Sequence, residues 1–191
     1  MNALVRLVTF ALIGWLAVPP AAVSADKQDL KPAEWKVLTL YKVLPYIEWP
    51  DTAFAGANNK LVIGILGADP FDGLLDELAK GNPVKGREVI VRKFDDPAEA
   101  AKCNVVFVSA AQLANWQAAV KALDMTGKLV VGETKDFARG DGNLNLVFEK
   151  RRMQMNKDRI DAAKKAGLMT VDSKLLGSGL VDFVKEKEKD K

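Results

Sequence analysis

Histidine is absent from all 191 residues, and this removes most of the chemistry a chain of this size could carry. Without an imidazole there is no Ser-His-Asp or Cys-His nucleophile, no His-ligated zinc and no pH switch of the commonest kind. Ser109 follows an apolar run and opens a helical one, the place a nucleophile elbow occupies. The G-x-S-x-G context is missing, however, and no base is present to activate the hydroxyl. Asp95, Asp96 and Glu99 are close enough in sequence for acid–base or metal work, but Asp96 directly precedes Pro97 and reads better as the cap of a short helix. Asp136, Asp141 and Glu149 fall in or near turns without metal-ligand spacing. Gly64-Ile65-Leu66-Gly67 is neither a dinucleotide fingerprint nor a P-loop. These residues predict a protein that is not an enzyme, with no metal and no cofactor.

Recognition is better served. Trp35, Tyr41, Tyr46 and Trp49 concentrate in one helix and its exit, and Tyr46 and Trp49 sit beside Pro45 and Pro50 where one of them can line a groove. Arg139-Gly140-Asp141-Gly142-Asn143 is the most polar and glycine-rich turn, and Arg139 offers five donors to a carboxylate or an anionic ligand. The competing reading pairs Arg139 with a nearby acid such as Asp136 or Asp141. The single cysteine, Cys103, precedes an apolar run and is expected to be a small buried hydrophobe rather than half of an intermolecular bridge.

The elements that position these residues follow from periodicity. Apolar residues at helical spacing predict a first helix over 31–47, with Pro32 in its first turn and Trp49-Pro50 as its stop. A loop over 52–60 leads to the wholly apolar run 61–66, a strand covered on both faces as in a parallel sheet. Asp69 and Pro70 then cap and start a helix through Leu78, ended by Gly81-Asn82. Further strands are predicted over 88–92, 104–108 and 129–131, with helices over 97–102 and 110–123, the latter capped by Ser109. A loop over 137–142 precedes a hairpin of 143–148 with 151–155. A helix from Asn156 or Asp158 closes at Gly167, and a last helix spans 173–184. Alternating strands and helices imply a single-domain α/β fold with a mixed, mostly parallel sheet flanked by helices.

The first 25 residues read as a cleaved export signal: Arg6, an apolar run over 7–18, Pro19-Pro20, and small residues at Val23-Ser24-Ala25. The run is too short for a retained membrane helix. A mature chain over 26–184 with a charged tail over 185–191 is therefore expected in the periplasm, with no membrane insertion after cleavage. Without Arg6 the balance is 27 basic to 25 acidic residues, scattered rather than striped, which argues against a nucleic-acid partner.

Tyr41-Lys42-Val43-Leu44-Pro45-Tyr46-Ile47-Glu48-Trp49-Pro50 resembles the opening helix and Trp-Pro signature of the YfiR-like family of bacterial periplasmic proteins. The resemblance continues through 61–71, the Val84-Lys85-Gly86-Arg87 turn, 103–109, 137–142 and Ser173-Lys174-Leu175-Leu176. It implies a Rossmann-like sandwich, often dimeric, so that a homodimer is one expected assembly. It also implies regulation without catalysis: the family's namesake represses a membrane diguanylate cyclase, the source of cyclic di-GMP. The partner expected on this basis is the periplasmic part of an inner-membrane signalling protein. The alternative is a small-ligand or sensor module acting with a histidine kinase or transporter, with its site at the carboxyl ends of the strands. Better-known members use disulfides, which a chain with only Cys103 cannot form internally. The candidate partner- or ligand-binding residues are Tyr46, Glu48, Trp49, Arg87, Arg139 and Asn143.

Overall fold

A computed structural model describes residues 30–186. The expected signal, its cleavage after Ala25 and most of the charged tail lie outside the described residues. Helix α1 (Pro32–Val43) runs into a 3-10 turn over Leu44–Tyr46 and a short strand β1 (Ile47–Glu48), so the first helix ends one turn earlier than its periodicity suggests. The segment expected as a loop is a 3-10 helix over Asp51–Ala57. Strand β2 (Leu61–Leu66) is buried at every position, as its composition requires.

Helix α2 (Leu74–Ala79) starts four residues after the expected place at Pro70. Asp69 caps a turn instead, accepting from the Phe71 and Gly73 amides at 2.9 and 3.2 Å. Next come β3 (Val89–Phe94), a 3-10 helix over Pro97–Lys102, β4 (Val105–Val108), α3 (Leu113–Ala119) and β5 (Leu129–Gly132). Asp96 does cap Pro97–Lys102, accepting from Ala98 N at 2.9 Å. Ser109 makes no capping bond. The supposed loop over 137–142 contains a one-turn helix, α4 (Phe137–Gly140). Strands β6 (Leu144–Val147) and β7 (Arg152–Asn156) form the expected antiparallel hairpin. Helix α5 (Lys157–Lys165) is capped by Asn156, which accepts from Arg159 N at 3.0 Å.

The carboxyl end departs most from expectation. A short strand β8 (Thr170–Val171) comes first, and the predicted last helix over 173–184 divides into one turn of helix, α6 (Ser173–Leu176), and a strand β9 (Val181–Val184). Gly177 and Gly179 stop the helix between Leu176 and Leu180, and Val-Asp-Phe-Val then alternates as a strand does.

The main sheet has seven strands in the order β3-β2-β4-β5-β6-β7-β9. All neighbours are parallel except β6 and β7. A separate two-stranded sheet pairs β1 with β8, Ile47 opposite Val171. Side chains of alternate strand residues enter two cores. Ile63, Ile65 and Phe107 join α1, α2 and α5 on one face, while Val62, Leu66 and Val106 join Trp116 of α3 and Phe137 of α4 on the other. This is an α/β sandwich of Rossmann-like build.

Candidate functional site

Strand order reverses beside β2, whose neighbours β3 and β4 leave in opposite directions; the carboxyl ends of β2 and β4 are therefore the place where such sheets usually bind ligands. Here the crevice is filled by the chain itself. A Cβ built on Gly67 would lie 2.4 Å from Gln112 Cγ and 2.7 Å from Ser109 Oγ. Glycine at this position, with φ of 86°, lets those side chains close the gap.

Open space lies at the opposite end of the sheet, where the first helix leaves its layer. Pro50 fixes the chain after Trp49, and β1 is held by its pairing to β8. Trp49 is half-buried; its indole N–H donates to the Gly127 carbonyl at 2.8 Å, and its ring meets Phe54 edge-on at 6.2 Å. Arg87 reaches the same spot from a tight turn in which Val84 and Arg87 exchange backbone hydrogen bonds of 2.9 Å. Lys85 (φ 49°) and Gly86 (φ 77°) give that turn the left-handed backbone of a hairpin connection. The guanidinium carbon of Arg87 lies 3.9 Å from the Phe54 ring centroid, and its Nη2 donates to Asp51 Oδ1 at 2.6 Å. Cation and ring thus hold each other in place.

Around this stack is a cleft of about 290 Å³. Leu44, Ile47, Phe54 and Val84 form its apolar lining, and Glu48, Trp49, Lys85 and Arg87 its rim. Lys85 Nζ stands 3.5 Å from Glu48 Oε1, and Thr170 Oγ donates to Glu48 Oε2 at 3.4 Å. Loose pairs of this kind at the surface hold their partners weakly. The rim charges are therefore available for exchange with charges on another molecule.

The structure brings Glu48, Trp49 and Arg87 together. Tyr46 stands just outside, lining a second cleft of about 390 Å³ with Trp35, Lys42 and Arg151. Arg139 and Asn143 lie elsewhere. Arg139 pairs within its own helix, Nε to Asp136 Oδ1 at 3.6 Å. Asn143 is buried and latches two strands: its Oδ1 accepts from Val130 N at 2.6 Å, and its Nδ2 donates to Lys128 O at 2.7 Å. Phe54 and Lys85 belong to the cleft without having been legible as such. An aromatic in an Ala- and Gly-rich segment was the available signal for Phe54.

Among the described residues, no group of three or more His, Cys, Asp or Glu could hold a metal ion, and no helix is long and apolar enough to cross a membrane. Burial pushes the Cys103 thiol up to about 11, against the pull of nearby Arg92 and Lys128, so it stays protonated at neutral pH.

No curated protein matches the chain closely enough to be called a relative. The family model described as YfiR/HmsC-like matches residues 33–179, which include β1, the Trp49 stack and the Arg87 turn. With most of its length matched in this way, the chain belongs to the YfiR/HmsC-like family.

Proposed function

We propose that the protein is a non-enzymatic periplasmic regulator that binds the extracytoplasmic part of a membrane signalling protein, a diguanylate cyclase controlling cyclic di-GMP, through the exit of its first helix. The observation that carries this reading is the stack of Arg87 on Phe54 beside Trp49: a fixed cation and an aromatic edge around a small apolar cleft. Aromatic and arginine anchors next to a pocket are the features that dominate protein interfaces. Family membership supports the class of partner. The two ion pairs on the rim, Glu48 with Lys85 and Asp51 with Arg87, are exposed on at least one side. A partner can replace them with its own charges at small cost.

The test is capture from detergent-solubilised membranes by the purified protein. Wild type should retain a membrane diguanylate cyclase. Arg87→Glu reverses the charge at the cleft and should lose it while keeping a wild-type circular dichroism spectrum. Arg139→Glu, outside the lining of the cleft, serves as the comparison. Equal capture by Arg87→Glu and wild type moves the docking site away from the cleft, and loss with Arg139→Glu alone moves it to the Arg139 turn.

A further inference from the structure

A second cavity, of about 600 Å³, opens at the amino ends of β5 and β6, beneath the Arg139–Asn143 turn. Val120, Leu123, Met125 and Val130 give it apolar walls, and its one fixed guanidinium is that of Arg159. Arg159 enters from the first turn of α5, where its backbone N–H is held by Asn156 Oδ1 at 3.0 Å. Its Nη2 donates to the Gly140 carbonyl at 2.8 Å and to Glu186 Oε1 at 3.0 Å. Its Nε is buried and has no acceptor among the described residues. Glu186 belongs to the charged run after β9, and its own N–H is accepted by Asp158 Oδ2 at 3.2 Å. The carboxylate beside Arg159 is thus supplied by the protein's tail.

We propose that this cavity is a binding site for a small organic carboxylate with an apolar body, and that Glu186 occupies the carboxylate position when no ligand is bound. The size is that of a small-molecule pocket, and the lining mixes apolar side chains with polar and charged ones, among them Gln117, Lys121 and Arg159, that can fix the orientation of a ligand. Arginine suits a carboxylate because its planar fork can hold both oxygens. The exchange leaves the charge count unchanged, since one carboxylate leaves as another enters. The remaining acids are engaged or turned to solvent: Asp141 Oδ2 accepts from Gln117 Nε2 at 3.0 Å, and Asp124 Oδ1 from Thr126 N at 3.0 Å. Lys121 on the rim adds a second cation. Glu186 is a weak competitor, because its side chain is 49% exposed and such a pair contributes little.

The site also touches the cleft described above. Gly127 lines the cavity, and its carbonyl is the acceptor of the Trp49 indole. Ligand binding is therefore placed to shift the loop that Trp49 rests on. That last point alone depends on the docking role proposed for the cleft.

Hexanoate is the probe, titrated into the ¹⁵N-labelled full chain and followed by amide shifts of Gly127, Gly140 and Asn143. Hexanoate should move these amides, and uncharged hexanamide should not. Glu186→Gln should tighten hexanoate about two- to fivefold, the factor an exposed ion pair contributes as a competitor. Arg159→Gln should weaken it at least about tenfold, as expected for a lost charged hydrogen bond. Absent or scattered shifts, equal binding of hexanamide, or unchanged affinity in Glu186→Gln overturns the proposal. Glu186→Gln changes only a surface side chain, so the test holds even where Arg159→Gln fails to fold. A positive titration with unaltered partner capture would leave this site standing and remove only its link to the cleft.

Discussion

Trp49 reaches 78 positions along the chain to the Gly127 carbonyl, from a place fixed by the proline that follows it. Trp49→Phe keeps a ring against Phe54 but leaves that carbonyl without its donor, and should cost about 1–3 kcal/mol in urea unfolding. Trp49→Ala removes the packing as well and should cost more, up to roughly 3–5 kcal/mol. Unaltered unfolding of Trp49→Phe would show that the indole N–H contributes nothing. Cys103 allows a second measurement. In the unfolded chain its thiol ionises near its ordinary value, whereas in the folded protein it does so only near 11. Between those values the folded state holds a proton that the unfolded state has lost, so stability falls as pH rises through the interval. Cys103→Ala should flatten that alkaline decline, and native Cys103 should react with a thiol reagent only after denaturant is added. Rapid labelling of the native protein would contradict both. The cap at Asp96 was legible in sequence because it depends on near neighbours, and the burial of Cys103 because its residue type and the apolar run after it both favour the interior. The latch at Asn143 was not, because its partners are the backbone groups of Lys128 and Val130 on an adjacent parallel strand.

Two asparagines perform that task at corresponding places. Asn104 precedes β4 and accepts from Val62 N at 3.0 Å; Asn143 precedes β6 and accepts from Val130 N. Each also bonds its own backbone N–H to the carbonyl of the same residue, at 3.0 Å in both cases. The pairing of each strand is thereby extended one residue beyond its ladder. The carboxyl-terminal elements show why an element can be misread. Residues 173–184 hold enough leucine and valine for a helix, and only the glycines at 177 and 179 argue against it. The alternating run at 181–184 becomes a strand because β7 leaves an edge free to pair. A chain stopped after Gly179 should therefore lose β9 and leave the β7 edge open, giving insoluble or readily aggregating protein. A chain stopped after Glu186 should remain soluble, as sedimentation of the two products would show. Equal solubility would mean that β9 is not part of the stable sheet.

At the scale of the whole molecule, the apolar strand runs, the hairpin and the alternation of elements were enough to read the fold class. Strand order was not legible, because nothing local distinguishes β2 as the strand from which the sheet grows both ways. The cleft was half legible. Glu48 and Trp49 are neighbours in sequence, but Arg87 joins them only through a turn that folds back along β2 and β3. The same long-range stitching governs the order in which the molecule can be completed. The amino-terminal helix is bound to the far end of the chain: Arg151 donates to the Leu30 carbonyl across 121 positions, Trp35 packs on Phe148, and β1 waits for β8. During synthesis at about 5–20 residues per second, α1 leaves the ribosome on the order of ten seconds before its partners exist. Until then α1 can pack on α2 and β2, but the part of its face that meets Phe148 stays uncovered, an interval in which a chaperone can hold the nascent chain. The closing of α1 over the hairpin is the step that ends that interval.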